Sequence, residues 1–536
     1  MGIPSYFSYI IKNYPNIIRN IGYFYNLNVE HLYMDCNSII YDSVYSIDPE
    51  MPDIEDEIIK LVIEKIKIYI GIIKPIKTVY IAFDGVAPFA KMEQQRTRRY
   101  KSAFMSKICF DDNPKKVGWN TSAITPGTAF MSKLAHCIEY EFKHSERKYN
   151  CKDVLVSTAN DVGEGEHKLF QHLRDNDFKN DSVAVYGLDA DLIMLSIFHL
   201  KYCKNVYVFR EAPEFLKSSI PVDIREKNAN EPYFLDIHHL SSCILAEMNC
   251  ACQDPQRIVD YVFLCFFLGN DFLPHFPAMN IRTHGIQGLL DIYRLCIGNH
   301  SDRFLISKTT DKIQWRNVGI FLNEVAKREH ELLLNECFLR DKFDKRHYPE
   351  TTPKEKDDVL QSVPTIYRAK EKYICPQEIE WEKRYYKCLF DMKRTPDNLK
   401  QISTNYLEGL EWTYKYYTSG CPHWRWKYNY HYPPLFVDLC KYLPHYETDF
   451  IIADKNKLPF SKYAQLSYVL PSQNLHLLPK KISDFLKTNY AELYPDNYEM
   501  EWAYCRYLWE AHPMLPDIPL DLLGQFDIQF RLSEVA

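Results

Sequence analysis

Seven carboxylates stand in five short, unlike contexts: Asp35 in LYMDCNS, Asp84 in IAFDGVAP, Glu164 and Glu166 in GEGEHK, Asp189 and Asp191 in GLDADL, and Asp271 in GNDFLP. Nearly all end an apolar run or open a glycine-bearing turn. An acid in such a place is costly to bury unless something positive holds it. The chain must therefore fold so that several strand ends and turns share one positive partner. Hard divalent cations prefer oxygen ligands, and a pair of them can drive phosphodiester cleavage.

The first three hundred residues alternate apolar β-rich runs with helical stretches. Leu32–Met34, Thr78–Phe83, Asp153–Ser157, Ser182–Tyr186 and Val206–Phe209 read as buried strands. Ile54–Ile70, Pro88–Phe104, Phe130–Phe142 and His167–Leu173 read as helices. That alternation predicts an α/β fold, a mainly parallel sheet with helices on both faces. Ligands of such sheets bind beyond the carboxyl ends of the strands. Asp35 and Asp84 each follow a strand directly, and Asp189 follows one after Gly187, so three strands deliver acids to one edge.

Asp189 and Asp191 are two apart, a spacing that points both side chains to one side just past a strand. Glu164 and Glu166 lie on a Gly163/Gly165 turn that opens a helix, where the backbone can adapt. Asp271 follows an apolar run and leads, past Pro274 and Pro277, into the helix GIQGLLDIYRL, giving a helix–turn–helix element. Helix capping and turn formation account for single acids in such places. They do not account for seven at sheet-edge positions with no basic partner adjacent in sequence. Two Mg²⁺ ions, with Mn²⁺ as a substitute, would let so many acids stay ionised and would serve phosphodiester hydrolysis.

Directly after Asp84 comes PFAKMEQQRTRRYKSAF, in which Lys91, Gln95, Arg98 and Arg99 share one helix face. Taken alone such a face is a solvated one paired with surface acids. Beside a metal-type Asp it suits a terminal phosphate, for which Arg offers forked donors and Lys a point charge. Tyr41, two turns after Asp35, and an aromatic block from Asn405 supply rings for base stacking. Most rings of that block are expected in the core, with one or two among Trp412, Trp424 and Trp426 reaching a substrate.

The net charge of −6 excludes a general nucleic-acid coat but leaves room for a local basic groove. No charged-then-apolar leader opens the sequence, and Tyr6 stands where a myristoylation signal wants Ser or Thr, so neither secretion nor a lipid anchor is expected. The longest apolar run, Tyr261–Leu268, is too short to span a bilayer. The 16 cysteines form no framework and read as reduced thiols of a cytoplasmic protein. His238, His239, Cys243, Cys250 and Cys252 lack the paired spacing of a zinc site and read as packing and surface residues.

Taken together the chain resembles the XRN family of 5′→3′ exoribonucleases. The resemblance rests on MGIPSYF, LYMDCNSIIY, IAFDGVAPFAKMEQQRTRRY, ITPGTAFM, VGEGEHK, YGLDADLIML and FLGNDFLP, then WTYKYYTSGCPHWRW, YHYPPL and QLSYVLPS, in order over nearly the whole chain. It implies a PIN/flap-endonuclease-like core wrapped by a second, mostly helical conserved region. It implies that Asp35, Asp84, Glu164, Glu166, Asp189, Asp191 and Asp271 hold two divalent metals. It also implies that Lys91, Gln95, Arg98 and Arg99 enclose a 5′-monophosphate, excluding a cap or triphosphate and enforcing release of mononucleotides. Where the family usually has a stacking His, this chain has Tyr41, which can stack but carries no charge. The chain shows neither the long C-terminal extension of cytoplasmic eukaryotic members nor the zinc knuckle of many nuclear ones. That fits a compact, viral-like or protist-like member.

The expected organisation is a nuclease core over 1–305, a helical connection over 306–404 with an exposed loop near 340–358, and an aromatic-rich second region over 405–536. The expected activity is processive, Mg²⁺-dependent 5′→3′ degradation of 5′-monophosphorylated single-stranded RNA, in mRNA decay, by a monomer working with decapping machinery and no membrane. Two other readings stay open on sequence alone: a structure-specific 5′ flap DNA nuclease on the same core, and a catalytically inactive RNA-end-binding scaffold.

Overall fold

The computed structural model describes residues 3, 5–20, 22, 29–112, 118–211, 232–283, 285–452 and 458–535. Its centre is a seven-stranded sheet of order β1-β7-β6-β5-β2-β3-β4. The strands are β1 (Ile18–Arg19), β2 (His31–Asp35), β3 (Thr78–Ala82), β4 (Asp153–Ser157), β5 (Phe178–Tyr186), β6 (Cys203–Arg210) and β7 (Tyr233–Asp236). The five strands read from sequence pair in parallel, β4-β3-β2-β5-β6. The two additional strands, β7 and β1, join antiparallel at the β6 edge.

Alternation along each strand sorts side chains to two cores. Leu32 and Met34, Ala184 and Tyr186, and Tyr207 and Phe209 face the helices Ile54–Ile73 and Ala129–Phe142. Tyr33, Val183 and Val185, and Val206 and Val208 face the opposite way. There they meet the helices Gly165–Asp175, Asp191–His199, Ile237–Met248 and Gln256–Cys265. Both sheet faces are thus covered, as buried parallel strands require.

The second half is no separate body. Trp412, Tyr416 and Phe436 belong to the same core as the second sheet face. Phe89 and Met92, at the start of the basic helix, pack with Phe460, Leu466 and Phe526 near the chain's end. The basic helix runs Phe89–Asp112 and is gripped along its length. Gln465 accepts from the Ala87 amide at 2.8 Å, Lys427 pairs with Glu93 at 2.7 Å, and Tyr498 donates to the Tyr100 carbonyl at 2.6 Å.

The stretch 340–358, expected as an exposed loop, is mostly helical. The helix Trp315–Asp344 carries through Arg340, and a capping box of Thr352 and Glu355 opens the next helix, Pro353–Ile366. Only 345–352 lies outside helix. The charges that suggested solvent include a buried ion knot: Arg340 pairs with Glu371 at 2.6 Å, and Arg368 binds Glu371 at 2.6 Å. Among the described residues no helix is long and apolar enough to cross a membrane.

Candidate metal centre and phosphate pocket

All seven predicted acids converge on the carboxyl end of the sheet. Asp35 is the last residue of β2, level with Ala82 on β3. Asp84 is fixed just beyond β3: Asn37 donates to it at 2.5 Å, accepts from its amide at 3.0 Å, and the Gly165 amide donates to it at 2.7 Å. Glu164 is the N-cap of the helix Gly165–Asp175 and Glu166 lies in its first turn, where the helix dipole favours negative charge. Gly165 has a steric role here, because a Cβ there would stand 2.6 Å from an Asp35 oxygen.

Asp189 accepts from the Asp191 amide at 3.3 Å, which sets both acids at the start of the helix Asp191–His199. Asp271 is aimed by a tight turn. Gly269 takes a left-handed φ of 85°, and the Asn270 side-chain oxygen accepts from the Phe272 and Leu273 amides at 2.9 Å each. Asp189, Asp191 and Asp271 can bring one oxygen each within 4.8 Å of one another, as can Glu164 and Glu166 together with a nitrogen of His167.

Burial pushes the Asp35 carboxyl well up, and Asp84 and Asp189 push it further. Glu166 is raised by burial, with Glu164 and Asp189 adding to it against the opposing pull of Lys91. Asp191 is raised by burial, then by Asp189 and Asp271. One oxygen each of Asp35 and Asp191 is buried with no hydrogen-bond partner. Crowded acids with unmet acceptors call for cations, and an all-oxygen donor set suits Mg²⁺ or Mn²⁺. The residues present therefore fit divalent ions.

Lys91 departs from its expected place. It lies within the acids, pairing with Glu164 at 2.6 Å and Asp271 at 2.8 Å. Burial disfavours its charge, but Asp271 and Glu164 outweigh that and raise its pKa. The same contact holds Asp271 below the usual carboxylate range despite burial.

Gln95 and Arg99 lie one and two turns beyond Lys91. Gln95 is buried with its side-chain oxygen unpartnered. Arg99 donates one guanidinium nitrogen to Thr125, while its other two nitrogens are buried without a partner. Burial pushes this guanidinium down to about 10, with the nearby Tyr41 phenol opposing and Arg98 adding to the shift. Arg98 lies toward the other flank of the helix, at the edge of a cavity shared with Thr97 and Lys101.

The three tryptophans divide. Trp412 and Trp426 are core: their rings stack at 5.3 Å, and their indole N–H groups bind the His423 carbonyl and Glu408. Trp424 is half-buried, so the expectation that one of these rings meets a substrate rests on it.

Sequence reasoning did not single out three residues that shape the site. Tyr416, from the second region's helix Pro396–Ser419, donates to Glu164 at 2.6 Å and stacks on His167 at 3.6 Å. Lys168 ties the ends of two strands by donating to the Phe83 carbonyl at 2.7 Å and the Thr158 carbonyl at 2.9 Å. Arg210 donates to the Leu188 carbonyl beside Asp189. Only Lys168 carried a signal, lying two residues beyond Glu166.

A family model described as the XRN 5′-3′ exonuclease N-terminus matches residues 1–212, and one described as the Xrn1 helical domain matches 252–380 and 374–523. The 5′-3′ exoribonuclease 2 of Gallus gallus is 25% identical, over 96% of this chain and 68% of its own. That of Candida albicans is 26% identical, over 97% of this chain and 71% of its own. The homolog of Drosophila melanogaster is 26% identical, over 96% of this chain and 69% of its own. Among solved structures, the catalytic core of Rad2 in complex with DNA substrate matches at a TM-score of 0.32 and 13% identity, over 90% of this chain and 99% of that one. That likeness is too loose to inform the fold.

Proposed function

The chain belongs to the XRN 5′-3′ exonuclease family, and from that premise we propose how this 5′→3′ exoribonuclease selects and cuts its substrate. The substrate is single-stranded RNA bearing a 5′-monophosphate, shortened processively to mononucleotides in RNA decay. The observation that carries the choice of end is Arg99, two turns along the basic helix from Lys91, with two buried guanidinium nitrogens unsatisfied and, among the described residues, no acid paired with it. A buried cation in that condition calls for an anion, and Arg matches phosphate oxygens in forked geometry. Gln95 adds a side-chain amide next to it.

The seven acids would hold two divalent ions, which when bound supply Lewis-acid charge at the scissile phosphate and an activated water. The chain's own residues do the positioning. Asn37 and the Gly165 amide fix Asp84, Tyr416 fixes Glu164, and the Asn270 turn fixes Asp271. Lys91 brings positive charge between the acids and the phosphate pocket. Tyr41 and the half-buried Trp424 supply the rings that stack on leading bases. Work as a cytoplasmic monomer beside decapping machinery completes the reading. It is tested by cell localisation, light scattering and co-purification.

The central test uses RNA oligomers of one sequence carrying a 5′-monophosphate, 5′-triphosphate or 5′-hydroxyl, incubated with Mg²⁺. Mononucleotides should accumulate from the monophosphate substrate, at a rate about tenfold or more above the other two, as expected for loss of charge-assisted hydrogen bonds. Equal rates on all three would overturn the phosphate pocket.

A further inference from the structure

A line of alternating cations and rings crosses the second region and ends at the basic helix. Arg346, exposed at the far end, lies 4.4 Å from the centre of the Phe343 ring. Arg506 covers the same ring at 3.6 Å and lies 5.5 Å from Tyr507. Arg282 comes next, 5.4 Å from Tyr507 and 5.9 Å from Trp509, and those two rings are parallel within 14°. The Lys101 ammonium donates to the Trp509 carbonyl at 2.7 Å, which joins the line to the helix Phe89–Asp112.

Its inner end meets the metal centre. One cavity, of about 350 Å³, is lined by Arg98, Lys101, Arg282 and Trp509 and also by Asn270 and Asp271. The acids of that cavity are already engaged: Glu510 with Arg282 at 2.7 Å, Glu93 with Lys427 at 2.7 Å and Asp271 with Lys91 at 2.8 Å. The acids beside Phe343 turn elsewhere, Asp341 to Arg368 at 2.6 Å and Asp344 to Lys372 at 2.7 Å. Among the described residues Arg98, Lys101, Arg346 and Arg506 form no ion pair, so the line carries net positive charge.

Trp509 is 38% exposed, although tryptophan is highly buried on average. An Arg stacked on a ring keeps its N–H edges for phosphate, and a ring accepts a base of any identity. A basic track set with rings is how single strands are bound without sequence preference. The RNA is held by its 5′ end and cut beside the acids, so the rest of the strand must leave that centre across some surface. A processive enzyme must also keep hold of the strand while its end is removed.

We infer that this line is the track for the uncut part of the substrate. Single-stranded RNA stacks on Trp509, Tyr507 and Phe343 and lays its phosphates on the arginines between them. The inference deepens the exoribonuclease reading and rests on it for the ligand.

The test is fluorescence anisotropy of the full chain in EDTA, where nothing is cut. The probes are 5′-monophosphorylated RNAs, a trinucleotide and an oligomer of about twelve nucleotides, a length within the usual span of single-strand sites. The trinucleotide is held at its 5′ end, and only the long oligomer reaches the line. Trp509→Ala and Arg346→Ala change exposed side chains, and thermal unfolding verifies that both fold as wild type does. Trp509→Ala should bind the long oligomer about tenfold more weakly, for one stacked base lost, and the trinucleotide as wild type does. Arg346→Ala should lower the log–log salt slope for the long oligomer by about 0.7, the worth of one phosphate contact on a single strand. Wild-type affinity in Trp509→Ala, or a wild-type salt slope in Arg346→Ala, overturns the track and leaves the line as a face for a protein partner. Equal weakening on both RNAs places Trp509 in the 5′-end site and overturns it too. In each of these cases a preference for the 5′-monophosphate over the 5′-hydroxyl trinucleotide keeps the exoribonuclease reading standing. Wild type with no affinity for either RNA overturns both.

Discussion

Two places in this molecule bury clusters of charge, and they do it in opposite ways. In the knot of the second region, Glu371 accepts from Arg340 at 2.8 and 2.6 Å, from Arg368 at 2.6 Å and from the Tyr504 amide at 2.8 Å. Arg340 spends its remaining capacity on the Pro364 and Cys505 carbonyls at 3.2 and 2.9 Å. Opposite charges and hydrogen bonds close on themselves. At the sheet edge, seven acids gather around Lys91, which pairs with Glu164 and Asp271, and Asp35 and Asp191 each keep a buried oxygen with no hydrogen-bond partner among the described residues. The knot is charge buried to fix a fold. The edge is charge buried for something that arrives later.

The contrast is broken most forcefully by removing charge from each cluster. Asp189→Ala with Asp191→Ala should cut exonuclease rate by at least about a thousandfold, since metal assistance is worth several kcal/mol at about 1.4 kcal/mol per decade. The same variant should still bind RNA, so that loss of cutting without loss of binding marks a lost metal site. Loss of both together would mean that these acids are structural after all. Arg340→Met is the mirror image. It leaves buried Glu371 with Arg368 as its one remaining cation and the Pro364 and Cys505 carbonyls without their donor, and should cost at most roughly 3–5 kcal/mol of stability, read by denaturant unfolding, while the initial cleavage rate per folded molecule stays near wild type.

The same contrast explains what could be read from sequence. Val, Ile and Leu runs such as Thr78–Ala82 are legible because a strand buried on both faces must be apolar throughout. The antiparallel edge was not legible, because Ile18–Arg19 is two residues long and borrows its order from β7. Arg340–Asp358 reads as solvent-exposed because charge in sequence carries no mark of whether an opposite charge waits elsewhere; Glu371 lies 31 residues away from Arg340. The acids were legible for the converse reason, standing at strand ends and glycine-bearing turns where burial of a charge needs a partner. Tyr416 reaches Glu164 across 252 residues, and nothing in WTYKYYTSG separates it from its core neighbours. Trp412 and Trp426, residue types that stack on bases elsewhere, here stack on each other.

Arg99 is the test of whether an unmet cation behaves like the unmet acids. Arg99→Met should lower kcat/KM for 5′-monophosphorylated RNA by about 10- to 100-fold, the worth of a charged hydrogen bond or two. It should leave 5′-hydroxyl RNA almost unaffected, so the preference itself collapses. An equal loss on both substrates would make Arg99 a structural residue held by Thr125 and not a reader of the 5′ end.

The last test is the most direct measure of stored repulsion. Burial and its acidic neighbours raise the Asp191 carboxyl to about 8 in the folded chain, against about 3.9 for a free Asp. The folded state therefore binds a proton that the unfolded state gives up. The stability this group contributes is complete below the ordinary carboxylate range and is lost as pH rises through about 8. Asp191→Asn copies the protonated form at every pH. In EDTA at pH 8.5 the variant should unfold at a higher temperature than wild type, and the gap should narrow steadily as pH falls toward 5. Comparing the two proteins at each pH cancels the opposing loss from buried histidines such as His199, whose pKa burial lowers to about 3. Mg²⁺ should then reverse the order, because wild type gains a ligand that the amide replaces poorly. A gap that ignores pH, or an order that Mg²⁺ leaves unchanged, would show that Asp191 is neutralised by the fold itself. The sheet edge would then belong with the Arg340 knot.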